Sequence, residues 1–374
     1  MTPARVRVHA HHRTELDSGW EAASCPPDAC TGPTEASALE WIAAAVPGTA
    51  AGALAAAGRW SPGEPRDFDA EDWWFRVGFE ASPAGPGEEV VLCLAGIATA
   101  SEVFLNGELV AERGSMFRAD AIEVGSLLRD GGNELAIRCR ALASLLGGRR
   151  RPRARWRSRL ADNRLRFHRT MLLGRCPGFA PGPATVGPWR PIWIERRRGF
   201  AVESLRLRPR CEGEGGELAV EATLRPLGPA PDAGRLVLGG AGVAEATLAV
   251  AERGDGLVEL TGSVRLDPVE RWWPHTHGAP ALYDVRLFLS GPGGETRLDA
   301  GRVGFREIAP GPDPSWDPVE MGLDLHVNGV RTFARGVVWT PLDPVGMAPS
   351  REALGGALGR FRAAGMNMVR IPGT

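Results

Sequence analysis

The last fifty residues, Leu325 to Thr374, constrain the fold more than any other stretch, because they read as the opening of a (β/α) barrel. The run LHVNGVRTFARGVVW alternates apolar and polar residues on both sides of Asn328-Gly329, the dipeptide that supplies the two positive φ values of a tight hairpin turn. A hairpin is predicted there. After the Pro-rich stretch TPLDPVGMAP, Ser350 can cap a helix whose Leu354, Leu358 and Phe361 recur at helical spacing, and Gly365 sits where that helix stops. A second strand, MNMVRI, follows. Strand, helix of roughly 14 residues and strand make a βαβ unit, which alone cannot bury its helix face and both faces of a parallel pair. More chain is therefore expected after Thr374, and residues 309–374 in isolation are expected to be poorly stable.

Upstream the pattern is all β. From Trp73 to Arg140 the phrases WWFRVGFEA, EEVVLCLAG, SEVFLNGELVAE and NELAIRCRA are short alternating strands without intervening helices, which predicts an antiparallel sandwich with its clearest hairpin at Asn106-Gly107. Between Leu39 and Gly58 the Ala-rich chain predicts short helical turns around Val46-Pro47-Gly48. The Pro- and Gly-rich stretch LLGRCPGFAPGPATVGPWRPIWIE, residues 172–195, predicts a shaped irregular loop and not a strand. From Phe200 to Ile308 seven further strands lie between Gly, Pro and Asp turns, the count expected of an immunoglobulin-like sandwich, without its Cys-Trp-Cys signature. GPDPSWDPVE reads as the linker into the last unit.

A chain of 374 residues suggests two or three domains. Its 44 basic and 45 acidic groups leave a net charge of -1, so nothing draws the whole chain to nucleic acid or to an anionic membrane. The basic groups are all arginine, a sign of codon bias in a GC-rich genome and not of function. Nine arginines between Arg149 and Arg166 read as a solvated face or a loop over acidic neighbours. Six scattered cysteines argue against zinc and against a secreted disulfide framework; Cys93 and Cys139 fall in apolar strand patterns where free buried thiols are common. His9, His11 and His12 are expected in a disordered end, and no metal or other cofactor is predicted. The first residues hold no apolar signal core and no run of 18 apolar residues occurs, so the cytoplasm is the default location. Twelve tryptophans against one tyrosine matter because indole faces stack on sugar rings, although most are expected in the cores.

FARGVVWTPLD and GRFRAAGMNMVRIPGT resemble the first two barrel strands of glycoside hydrolase family 2, more closely its β-mannosidase-like branch. VPGTAAGAL, EDWWFRVGFEA, LAGIATASEVFLNGELVAE and VGPWRPIWIE resemble that family's N-terminal jelly-roll, and ERWWPHTHGAPALYDVRLFL and GRVGFREI its second sandwich. The resemblance implies a mainly β chain: a galactose-binding-like jelly-roll sandwich over residues 1–198, an immunoglobulin-like β-sandwich over 199–308, and over 309–374 the first βαβ of a (β/α)8 TIM barrel. It implies the N-terminal part of a retaining β-glycosidase that acts on terminal β-linked sugars through two glutamates about 5 Å apart. Those glutamates belong to later barrel strands, so no catalytic carboxylate is assigned here and the chain alone is expected to be inactive. The partner implied is a β-linked oligosaccharide or glycoside; a homodimer is left open.

Four residues are singled out on this resemblance. Barrel active sites lie at the C-terminal strand ends. Arg370 holds that place on the second strand, where it would hydrogen-bond the nucleophilic carboxylate and keep it ionised; the plainer alternative is a rim ion pair. Trp339, ending the first strand, is a sugar platform or barrel packing; Asp343 contacts a sugar hydroxyl or forms a turn. Two departures stand out. The family's β-mannosidases usually carry Trp-Asp-Trp-Gly-Pro in the long jelly-roll loop, where this chain reads GRCPGFAP, leaving Phe179 as an apolar sugar contact and the mannose contact without a basis. Val338 stands where the family usually has Asn before the tryptophan. The competing reading is a non-catalytic carbohydrate-binding protein of two sandwiches.

Overall fold

Strand alternation builds the first unit around one thick core. The computed structural model describes residues 6–147, 158–311, 317 and 323–372. A six-stranded sheet runs in the order Ile42–Ala43, Glu21–Cys25, Asp72–Ala81, Gly131–Cys139, Ser101–Leu105, Glu108–Arg113, and a four-stranded sheet in the order His12–Glu15, Ile192–Arg198, Glu88–Leu94, Asp120–Glu123. Trp73, Phe75 and Val77 alternate onto the face that meets Leu92, Leu94 and Ile192. Trp74 points the other way and stacks on Phe104, under the segment that carries Cys25, Cys30 and Ala36. Burial on both faces explains why Trp73, Trp74 and Phe75 follow one another without a polar break. Asn106 and Gly107 have φ of 53° and 89°, the pair the hairpin requires.

The structure corrects two expectations about this unit. Residues 172–195 are not irregular throughout, because Ile192–Arg198 is a strand paired on both sides. Beyond Pro191 neither Pro nor Gly recurs before Gly199, and the charges that hide the alternation are paired: Arg196 with Glu88, Arg197 with Glu195 and Glu89. Nor are His9 and His11 in a loose end: His9 Nε2 lies 2.8 Å from Asp299 Oδ2 and His11 Nε2 lies 2.9 Å from the Phe200 carbonyl oxygen. Arg7–Val8 pairs with Gly294–Val303 of the second sandwich, so the chain crosses the junction between the sandwiches before His12–Glu15 enters the first.

The second sandwich contains the seven predicted strands, Phe200–Glu212, Gly215–Pro226, Ala233–Gly239, Val243–Glu252, Val258–Leu266, Tyr283–Gly291 and Gly294–Val303. Val243–Glu252 pairs with Ala233–Gly239 through its first six residues and with Val258–Leu266 through its last four, which joins both layers in one continuous sheet. Leu218, Val220, Leu236, Leu260, Val285 and Leu287 fill the core, and Tyr283 packs edge-on against Phe305.

The last unit begins as an antiparallel trio, Ile308–Pro310, Leu325–Val327 and Val330–Arg331, turned at Asn328 and Gly329 with φ of 51° and 79°. Gly336–Val338 and Met368–Arg370 then pair in parallel on either side of the helix Arg351–Ala363. Ser350 caps that helix by accepting from the Ala353 N–H, and Gly365 follows its end with φ of 68°. A Cβ on Gly336 would fall 2.1 Å from the Met368 carbonyl oxygen, so only glycine permits this approach. Phe333, Val338 and Ile371 leave more than half of their surface exposed. The arginine run is described from Ser158 onward, and of the GPDPSWDPVE linker only Gly311 and Asp317 lie within the described residues.

Candidate functional site

The site is assembled from two units that are far apart in sequence. On the first sandwich, Trp189 follows Pro188 in the long loop; its Nε1–H donates to the Met116 carbonyl at 3.0 Å, and Phe117 meets its ring edge-on at 6.3 Å. The Arg190 guanidinium lies 4.4 Å from the Trp189 ring centre. Ala98, Met116, Met171 and Leu173 make a small core beneath, with Trp189 and Met347 packed on it. Thioether side chains suit such an irregular floor because they adapt to gaps that branched residues leave.

Opposite, the parallel strands supply the second wall. The Trp339 N–H donates to the Arg370 carbonyl at 2.7 Å, which extends the pairing by one step, and its ring meets Phe361 of the helix edge-on at 6.0 Å. Between the walls lies a cavity of about 580 Å³, lined by Phe117, Met171, Trp189, Arg190, Trp339, Asp343, Leu354 and Ile371 among others. Its aromatic walls fit the CH faces of a sugar ring. Among the described residues lining it, Asp343 is the one carboxylate.

The long loop keeps its shape through Arg175. Its guanidinium grips Asp69 bidentately, Nε to Oδ2 and Nη2 to Oδ1 both at 2.7 Å, and also donates to Thr170 Oγ1 and to the Met171 and Thr185 carbonyls. With its side chain 4% exposed, this is a desolvated, satisfied ion pair and a strong positional constraint. At Gly174 φ is 74°, and a Cβ there would stand 2.2 Å from the Ala184 nitrogen.

The structure brings Trp339 and Asp343 into the cleft. Asp343 is already engaged: Oδ1 accepts from the Val345 and Gly346 N–H groups at 3.1 and 2.8 Å, and Oδ2 from Ala348 at 3.3 Å. That is the geometry of a turn former. Arg370 stands exposed at the end of its strand beside Ile371, without a carboxylate partner among the described residues. Phe179 is 60% exposed and lies outside the cleft lining. Sequence reasoning missed Phe117, Trp189, Arg190 and the methionine floor. The Pro-flanked Trp189-Arg190 was the available signal, since a bulky pair between two prolines is held rigid for its neighbours.

A separate charge cluster pairs the buried Arg138 and Asp72 with Glu102 and the exposed Asp28 and satisfies itself: Arg138 Nη2 lies 2.5 Å from Asp72 Oδ2, and Asp72 Oδ1 accepts from the Ala141 N–H. Among the described residues no three His, Cys, Asp or Glu side chains could hold a metal ion, and no helix is long and apolar enough to cross a membrane.

Comparison with known proteins agrees with this architecture. Residues 31–190 match the family model described as glycosyl hydrolase 2 galactose-binding domain-like. Beta-mannosidase B of Thermothelomyces thermophilus is 28% identical over 292 residues, 72% of this chain and 32% of that protein. Beta-mannosidase of Rattus norvegicus is 22% identical over 312 residues, 80% of this chain and 35% of that protein. The chain thus spans about a third of the length of the curated relatives it matches. The crystal structure of β-D-mannosidase from Dictyoglomus thermophilum superposes with a TM-score of 0.79 at 23% identity, over 96% of this chain and 44% of that one, a likeness of fold. Residues 31–190 thus match the galactose-binding-like domain of glycosyl hydrolase family 2, and the chain as a whole is similar to beta-mannosidases in sequence and in fold.

Proposed function

We propose that the chain is the N-terminal part of a retaining β-glycosidase that hydrolyses terminal β-linked sugars, and that the cleft is one wall of its substrate site. The observation that carries this reading is the joint construction of the cleft, with Phe117 and Trp189 from the sandwich facing Trp339 and Ile371 at the C-terminal ends of two parallel strands. Trp339 is the sugar platform, and the exposed Arg370 awaits the carboxylate it would orient. The two catalytic carboxylates come from barrel strands outside these residues, so the 374-residue chain binds without turning over. Asp343 shapes the rim.

The sugar is left unassigned between β-mannoside and other β-glycosides. In the stretch GRCPGFAP, where β-mannosidases place their sugar-contacting acid and indole, Arg175 turns inward to Asp69 and Phe179 outward to solvent. Six free thiols support a reducing compartment, and we place the protein in the cytoplasm. The test is to assay the full-length natural protein on a panel of p-nitrophenyl β-glycosides and to follow the first product by NMR. A β-anomer is expected from the full-length protein, with no turnover from residues 1–374. Inversion, hydrolysis by the 374-residue chain, or no cleavage of any β-glycoside would overturn the reading.

A further inference from the structure

Of the six cysteines, two share one packed cluster. Cys25 ends the strand Glu21–Cys25, and Cys30 stands five residues on, packed with it among Ala36, Trp74, Phe104 and Ala136. No other cluster of the core holds two thiols. Both are buried, at 5% and 7% exposure, beneath a turn whose residues 26–29 are all exposed.

The turn between them is held closed from several sides. Pro26 and Pro27 restrict its backbone, the Ala29 N–H donates to the Pro26 carbonyl at 3.0 Å, and Asp28 takes a φ of 58°. The Asp28 N–H donates to Asp72 Oδ2 at 2.9 Å, and Asp28 Oδ1 accepts from Arg138 Nη2 at 2.6 Å. The Cys25 sulfur therefore faces both the backbone N–H and the thiol of Cys30. Burial is the larger effect and holds Cys25 as a thiol; the Cys30 N–H works the other way, toward thiolate.

We propose that Cys25 and Cys30 form a reversible disulfide, closing a ring over residues 25–30 when the surrounding pool of small thiols is oxidised. The step is thiol–disulfide exchange with oxidised glutathione. One protein thiolate attacks a glutathione sulfur, forming a mixed disulfide and releasing one glutathione thiolate; the second protein thiolate attacks the protein sulfur of that bond and releases the other glutathione. The two protons lost by the cysteines end on the two released glutathiones, so two protein thiols are oxidised as one small disulfide is reduced. Because the turn already holds the sulfurs together, the second attack is intramolecular and outruns a second glutathione. The closed ring keeps Asp28 seated on Arg138 and Asp72. In a reducing compartment the pair rests as thiols, and the proposal depends on neither the cleft nor its activity.

The experiment incubates the reduced 374-residue chain at stepped ratios of oxidised to reduced glutathione, quenches in acid, alkylates under denaturing conditions and weighs the tryptic fragment 14–59, which carries both cysteines. That fragment should lose both alkylation sites and become lighter by two hydrogens, with no glutathione attached. The oxidised chain should unfold about 2–5 °C higher than the reduced one, and dithiothreitol should reverse the shift. Cys25→Ala and Cys30→Ala, apolar replacements suited to the cluster, should each abolish this redox-dependent shift. A stable glutathione adduct on the parent fragment, a native disulfide that uses Cys93, Cys139, Cys176 or Cys211 instead, or a fragment still fully alkylated at a ratio that modifies Cys211 would overturn the proposal.

Discussion

The Thr49 hydroxyl holds two units together: it accepts from the Gly52 N–H at 3.0 Å, capping the helix Ala50–Ala56, and donates to the Val345 carbonyl at 2.5 Å across the interface. One side chain thus closes a helix in the first sandwich and pins the rim loop that carries Asp343. Gly52 and Gly346 fit face to face beside it; a Cβ on Gly52 would come 3.3 Å from the Gly346 Cα. Thr49→Ala should cost about 1–2 kcal/mol, the sum of a lost cap and an unpaired, partly buried carbonyl. Thr49→Ser should recover most of it. Urea denaturation reads the cost, and faster protease cleavage within residues 341–349 reads the loosened loop; cleavage at the parent rate would show that Thr49 is only a cap.

Arg175 carries a larger prediction. Arg175→Ala leaves the Asp69 carboxylate without its partner and releases three further hydrogen bonds, to Thr170, Met171 and Thr185, so a loss of about 3–5 kcal/mol is expected. Asp69→Asn, which keeps the shape but removes the charge, should lose less. The Trp189 fluorescence environment gives a second readout, because the same loop positions the cleft wall. A stability change under 1 kcal/mol on Arg175→Ala would mean that water replaces the pair.

Much of this architecture is readable from the residues, and what is not has identifiable causes. Seven strands of the second sandwich stand out because alternation and Gly/Pro turns coincide there. In the first sandwich, His12–Glu15 is exposed at all four positions and Asp120–Glu123 alternates only weakly, so neither has a hydrophobic period to detect. Ile192–Arg198 hides behind three consecutive arginines whose partners, Glu88 and Glu89, lie about a hundred residues away in sequence. Trp339 and Asp343, singled out on the family resemblance, do line the cleft. Trp189 and Phe117 belong to the cleft only through long-range packing, and Phe179 points away because Arg175 fixes the loop from within, a constraint no local pattern carries.

The paired carboxylates set the acid side of the stability curve. Hydrogen bonds from Arg196 hold the Glu88 carboxyl at about 2 against an ordinary 4.5. Burial would raise the Glu195 carboxyl, but His11 and Arg197 outweigh it and hold it at about 2 as well. A carboxyl depressed in the folded state contributes stability above its unfolded value and loses it as pH falls through the folded one. Stability should therefore drop between pH 4.5 and 2. Glu88→Gln should be less stable at neutral pH and converge on the parent near pH 2; parallel curves for the two proteins would refute the assignment.

Thiol reactivity should separate one cysteine from the other five. Burial pushes the Cys93 thiol up to about 12, and burial together with Cys30 pushes Cys25 to about 11, so neither offers thiolate at neutral pH. Cys211 alone among the six is only partly buried. Ellman's reagent should titrate about one thiol in the native chain and all six after unfolding. Cys211→Ser should abolish the native reaction; rapid labelling of two or more thiols in that variant would show that the first sandwich opens.

Arg370 remains the residue most directly tied to the proposed chemistry. It stands at the C-terminal end of the second parallel strand, exposed and without a carboxylate partner among the described residues, while its own carbonyl anchors Trp339. On the proposed reading, a permanently charged fork in that place would lower the pKa of a nucleophilic carboxylate and orient it while an acid a few ångströms away stays protonated. In the full-length enzyme, Arg370→Ala should leave folding intact, since the side chain contributes no buried contact, but cut kcat/KM by roughly 10² or more. The loss should fall on kcat, and the acidic limb of the pH–rate profile should move upward as the carboxylate loses its cation. Arg370→Lys should rescue only in part, because a point charge lacks the two-pronged geometry. An alanine variant that keeps the parent's kcat and pH profile on a β-glycoside would reduce Arg370 to a rim residue that pairs with an acid and takes no part in the reaction.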